Sequence, residues 1–263
     1  MLLPLATDGN ARASDTDTLE PLSLETSYRM YVNSKYAAKG FNLIAPYGGY
    51  KVDLVDYAGV VVHTWNSNRQ TVGTCVLLEN GTLLRGRSGP IGETQGIHLL
   101  DWDGSVLWDY HPPNGFEYHH DIEPMPNGNI LINTVVSCAY DELIGMGRDP
   151  SITWGPLMMD PIQEIRPNGT TGGDVVWTWD PVDHFVQDYN SSKPNYGVVK
   201  DHPELIDINY PSETEPDWQH SNAVSYNAEL DQVMITNRNL DEISSENRPT
   251  LNPQSPSHLL RAS

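Results

Sequence analysis

The chain has 263 residues, 35 of them acidic and 15 basic, for a formal net charge of −20. That balance excludes nucleic acid and an anionic membrane surface as partners, since both need a basic face. With 21 glycines, 20 prolines, 13 tyrosines and 7 tryptophans, the composition suits many short strands joined by tight turns, and no stretch keeps a helical period of apolar residues.

Residues 1 to about 25 are polar, and the opening MLLPLATDGNARASD holds neither a spanning segment nor a convincing signal peptide. Aromatic residues then lead into a first strand. From there two hairpin patterns alternate. The first ends on tryptophan: VDLVDYAGVVVHTW at 52–65, IHLLDWDGSVLWDY at 97–110, and IQEIRPNGTTGGDVVWTW at 162–179. The second turns on Asn-Gly: CVLLENGTLLRG at 75–86 and IEPMPNGNILINT at 122–134, with a looser copy at 222–238. Each of the first two is a hairpin with an Asn-Gly turn, the strongest short hairpin signal. Trp65 and Trp108 lie 43 residues apart, and Gly81 and Gly128 lie 47 apart. This is the length of a propeller blade, about 40–50 residues. The predicted fold is therefore all-β, a β-propeller with about four blade equivalents, each repeat tryptophan packing between neighbouring blades. Two intrusions, at 139–160 and 183–218, break the period and are expected to sit on one face.

Two places carry candidate chemistry. His119-His120-Asp121 directly precedes the hairpin at 122–134, and Asp217-Trp218-Gln219-His220-Ser221-Asn222 directly precedes the strand leading to Arg238. Both set histidine at the entry to a blade strand, where innermost strands face the propeller channel. Histidines from two blades would then converge. Imidazole, amide and guanidinium together suit a tetrahedral anion such as sulfate or phosphate. A metal is the competing reading, because His119, His120 and Asp121 are all ligand types. Adjacent strand residues point to opposite faces, however, so the three cannot share one ion without a bulge. No metal and no cofactor are assigned. Cys75 and Cys138 show no zinc spacing and read as unpaired core thiols.

HHDIEPMPNGNIL at 119–131, DWQHSNAVSYNAELDQVMITNR at 217–238 and the run GGYKVDLVDYAGVVVHTW resemble the bacterial and archaeal arylsulfotransferase family. The resemblance covers roughly 45–243. It implies a six-bladed propeller that moves a sulfuryl group from a phenolic sulfate ester to another phenol, without the nucleotide donor PAPS and through a sulfohistidine. It implies export to the periplasm or beyond. Carried onto this chain, His120 and His220 would bind and polarise the sulfuryl oxygens, Arg238 would neutralise their charge, and His119 and Asn222 would line the substrate. The partners would be a small aryl sulfate and a phenol. The family's attacking histidine belongs to a later Gln-His-Asp motif, and no such motif follows Arg238 here. The expectation is thus a leader and lead-in strand (1–44), a partial propeller domain (45–243) and an irregular tail (244–263), inactive alone for want of its nucleophile. The alternatives are a non-catalytic propeller scaffold and a quinoprotein-like dehydrogenase. The latter lacks vicinal cysteines and acidic calcium ligands.

Overall fold

One turn recurs through the chain. In the hairpin around Gly128 the Gly128 N–H donates to the Met125 carbonyl, and the Met125 N–H donates to the Asn129 carbonyl. Gly128 has φ +83°. This is a type I turn closed by a left-handed residue that forms a G1 bulge, and it fits the strand twist at the cost of one glycine. The same pair of bonds closes the turns at Gly59, Gly81 and Gly104. The Asn-Gly pairs therefore sit one residue later in the turn geometry than a two-residue loop would place them. The glycine takes the bulge position, which needs positive φ, and the asparagine side chain accepts the N–H two residues on (Asn80 from Thr82, Asn127 from Asn129).

These turns organise an all-β chain. The computed structural model describes Tyr28, Tyr36 and residues 38–89, 94–210 and 216–248. A first sheet is β1 (Phe41–Ile44), β2 (Lys51–Asp56) and β3 (Val61–Asn66) in order. A second follows as β4 (Thr71–Leu77), β5 (Leu83–Arg87), β6 (Gly96–Leu100) and β7 (Val106–Tyr110). The third is built on β8 (Glu117–Pro124) and β9 (Ile130–Cys138), which pairs with both β10 (Leu157–Met159) and β11 (Ile162–Asn168); β12 (Gly172–Trp179) closes it. A small parallel pair, β13 (Phe185–Val186) with β14 (Ile206–Asp207), lies in the second intrusion. The last sheet is β15 (Ser221–Asn227), β16 (Gln232–Asn237) and β17 (Glu242–Asn247). All pairings in the four larger sheets are antiparallel. Among the described residues one short α-helix, α1 (Tyr140–Gly145), opens the first intrusion. Among the described residues no helix is long and apolar enough to cross a membrane.

The core is divided between successive sheets. Val52, Leu54 and Trp65 of the first sheet pack on Leu83 and Leu100 of the second. Leu84, Ile97 and Trp108 of the second pack on Ile122, Ile132 and Ile165 of the third. Leu131, Ile162 and Trp179 of the third pack on Val224, Val233 and Ile235 of the fourth. The repeat tryptophans join these faces. Trp65 donates its indole N–H to the Asp101 carbonyl of the second sheet's last turn, and Trp108 donates to the Gly172 carbonyl of the third sheet. At the next junction Arg248 lies over the Trp177 ring and hydrogen-bonds Glu164 and Asp231.

The two intrusions hold each other. Arg148 is buried, donates to the Ile208 carbonyl at 2.5 Å and lies over the Trp218 ring. Asn209 bonds Gly147 and Asp149 from the other side. Cys75 and Cys138 are both free, and burial first of all pushes their thiols up to about 11 and about 12. The strand β17 runs to Asn247, past the tail boundary expected at 244. Its polar residues alternate between solvent and partial cover at the sheet edge, so it carries no apolar signature. The leader up to residue 25 and the tail from 249 lie outside the described residues.

Candidate active site

The first strands of successive sheets come together: β8 packs against both β4 and β15. Each of the three carries a bulge at the same stage. The register shifts between Thr71 and Cys75 in β4, between Tyr118 and Ile122 in β8, and between Ser221 and Ala223 in β15. Gly73 and His120 each lie eight residues before the turn glycine of their own hairpin. Gly73 has φ +62°, His120 +61° and His220 +51°. A left-handed histidine is uncommon and costs about 1–3 kcal/mol, so the surrounding contacts must hold it.

Those contacts are specific. The Tyr118 hydroxyl donates to the His120 carbonyl at 2.6 Å and accepts the Thr74 N–H at 3.1 Å. Asp121 turns away from the histidines. It accepts the Thr74 hydroxyl at 2.5 Å and the Val224 N–H at 3.0 Å, which ties β4, β8 and β15 together. Ser221 is buried, and its carbonyl accepts from Asn133 of β9 at 2.5 Å. Gln219 accepts the Asp160 N–H and donates to Ser221 and Asn237.

The result is a convergence of His119, His120 and His220. One imidazole nitrogen from each lies within 4.8 Å of the others. The Nε2 atoms of His120 and His220 face each other at 3.1 Å. His119 donates from Nδ1 to the buried Asp160 at 2.5 Å, and His220 donates from Nδ1 to Asp217 at 2.5 Å. Each carboxylate fixes one tautomer and leaves Nε2 for a ligand. Burial works against charge on His119, yet the hydrogen bond and charge of Asp160, supported by Asp217 and Glu117, raise its pKa above the ordinary value. Among the described residues no carboxylate hydrogen-bonds the His120 ring, whose Nε2 faces His220. Burial, then the neighbouring His119 and His220, push it down to about 4. The pocket thus offers one imidazole that favours its cation beside one that stays neutral.

The remaining predicted residues are exposed and follow the trio along the backbone. The Arg238 backbone N–H donates to the His220 carbonyl at 3.1 Å, so Arg238 follows directly on the trio. Its exposed guanidinium makes no hydrogen bond or ion pair among the described residues. Asn222 is the extra residue of the β15 bulge and is exposed. The bulge that a shared ion would need is present in β8, but it gathers His119, His120 and His220, with Asp121 elsewhere. Sequence reasoning missed Asp160 and gave Asp217 no role. Asp217 was within reach, three residues before His220. Asp160 was not, because only the pairing of β9 with β10 and β11 returns it to the histidines.

A comparison with curated proteins found no match. A family model described as arylsulfotransferase (ASST) matches residues 33–248, a span that takes in all three histidines and every one of the four larger sheets. The chain belongs to the arylsulfotransferase family.

Proposed function

We propose that this chain binds the sulfuryl group of an aryl sulfate between His119, His120 and His220, with Arg238 and Asn222 at the rim. The four larger sheets are read as blade equivalents of a β-propeller spanning about 45–243, with the histidines at the channel end of its inner strands. The observation that carries the reading is the convergence of three imidazoles from two sheets, two of them backed by carboxylates. Sulfuryl transfer has a loose transition state with charge on the peripheral oxygens, so positioned N–H and guanidinium donors do most of the work. Asp160 holds Nδ1 of His119 and favours the protonated ring, the form in which Nε2 donates to a sulfuryl oxygen. Arg238 adds a fixed positive charge.

Transfer through a sulfohistidine needs an attacking imidazole opposite the leaving phenol. Among the described residues no histidine outside the trio joins it. The reading is therefore of donor binding without turnover by this chain alone. Calorimetric titration with p-nitrophenyl sulfate, paired with p-nitrophenol release in the presence of a phenol acceptor, tests both halves. The expected result is binding that weakens about 10-fold or more in His220→Ala and Arg238→Ala, and no release above background. Ping-pong release by this chain would overturn the inactive reading. Unchanged binding in both variants would favour a non-catalytic scaffold.

A further inference from the structure

We infer that His119, His120 and His220 form a site for a divalent transition-metal ion of the zinc and cobalt class. The inference stands on ligand geometry alone and goes beyond the sulfuryl-binding reading. The ion and the sulfuryl donor role of His119 are alternatives at that ring, since a ligating nitrogen carries no proton, so failure of p-nitrophenyl sulfate to bind leaves the metal inference unaffected.

Three features carry it. One nitrogen from each ring lies within 4.8 Å of the others, and those of His120 and His220 are 3.1 Å apart. A tetrahedral ion with bonds of about 2.0–2.1 Å holds its ligand nitrogens about 3.3 Å apart. That pair is already close to this separation, and the His119 nitrogen, within 4.8 Å of both, has to move closer to complete the set. The second feature is the backing. Metal-bound histidines hand their other N–H to a carboxylate or a carbonyl, which fixes the ring and raises its basicity. His119 does so to Asp160 and His220 to Asp217. The third is charge. Those two carboxylates, in direct contact with the rings, balance a divalent cation in a chain of net charge −20.

The donor set selects the ion. Three imidazoles with no carboxylate oxygen among the ligands suit zinc, cobalt or copper and disfavour calcium and magnesium. Three protein ligands leave a fourth position open. His119 and His220 side chains are 19% and 14% exposed, so that position is reachable from solvent. This is the ligand count of a reactive zinc site rather than a closed structural one.

The test is a cobalt titration of the full chain after dialysis against a chelator, followed by zinc competition. One equivalent of cobalt should give the intense visible absorption of a low-coordinate ion, and one equivalent of zinc should abolish it. His120→Asn removes the imidazole yet keeps a residue that tolerates the left-handed backbone; it should weaken binding at least 100-fold with the fold intact by circular dichroism. Asp217→Asn should weaken it about 10- to 100-fold. The exposed His202→Ala serves as control and should leave affinity unchanged. Absence of a stoichiometric cobalt signal in the folded chain would overturn the inference. So would affinity in folded His120→Asn and Asp217→Asn equal to that of the unaltered chain.

Discussion

His119 and His120 are neighbours in the chain and pack ring against ring, with centroids 4.1 Å apart, yet they titrate in opposite directions. Burial disfavours charge on both. What separates them is Asp160, which reaches only His119. Replacing that carboxylate by an amide of the same shape leaves the burial and removes the compensation. In Asp160→Asn the His119 pKa should therefore fall from above the ordinary histidine value to below it, measured by a pH titration of the imidazole nitrogen resonances. An unaltered His119 titration would show that Asp160 is not what holds the charge. At this scale the sequence pointed, through their motifs, to the three histidines that converge. It did not carry Asp160, whose role depends on a chain return 41 residues after His119. Nor did it carry Asp121's true partners, Thr74 and Val224, which are distant in sequence.

Among the strands, the decisive feature is the bulge shared by β4, β8 and β15. In β4 its left-handed position is Gly73, where a side chain has no room. An added Cβ would meet the His120 carbonyl oxygen and the Tyr118 hydroxyl, each at 2.2 Å. Both are the groups that hold His120 in place. Gly73→Ala should cost at least about 2 kcal/mol of stability, from the positive φ and the overlap together. It should also disturb the His120 resonances far more than an equally destabilising change elsewhere, such as Leu43→Ala at the partly buried edge of the first core. A Gly73→Ala protein with full stability in urea would contradict this packing. The hairpins themselves were legible, since turn glycines and alternating apolar residues announce them. The bulges were not, because they follow from the packing of three inner strands rather than from any local pattern. β17 was hidden for a different reason: an edge strand that reads EISSEN has little apolar face to show.

For the whole molecule, the buried histidines set the response to acid. His98 is 2% exposed, and burial, aided by Arg85 and Arg87 against the pull of Asp109, lowers its pKa to about 4. In the unfolded chain the same group takes a proton near its ordinary value of about 6.5. Between these values the unfolded state binds more protons, so stability falls as the pH falls from about 6.5 to about 4. His98 alone accounts for about 3 kcal/mol across that window, and His120 acts in the same sense. His119 acts oppositely, contributing below about 6.5 and losing its contribution as the pH rises through its raised folded value. Urea melts at pH 7, 5.5 and 4.5 should show the loss, and His98→Gln should flatten it; an equally steep profile in the variant would assign the acid response elsewhere.

The indole links between sheets have a further consequence. Trp65 and Trp108 each fasten one sheet to the turn or edge of the next, and each core cluster belongs to one such junction. Cohesion therefore passes from neighbour to neighbour along the chain, as in a row of linked units, with each tryptophan's emission reporting on its own link. The histidines draw on the third sheet and the entry to the fourth, with Thr74 of the second sheet bonded to Tyr118 and Asp121, so the integrity of the pocket is a property of the links among the second, third and fourth sheets. A lesion between the first and second sheets would dim Trp65 while leaving the imidazoles in register.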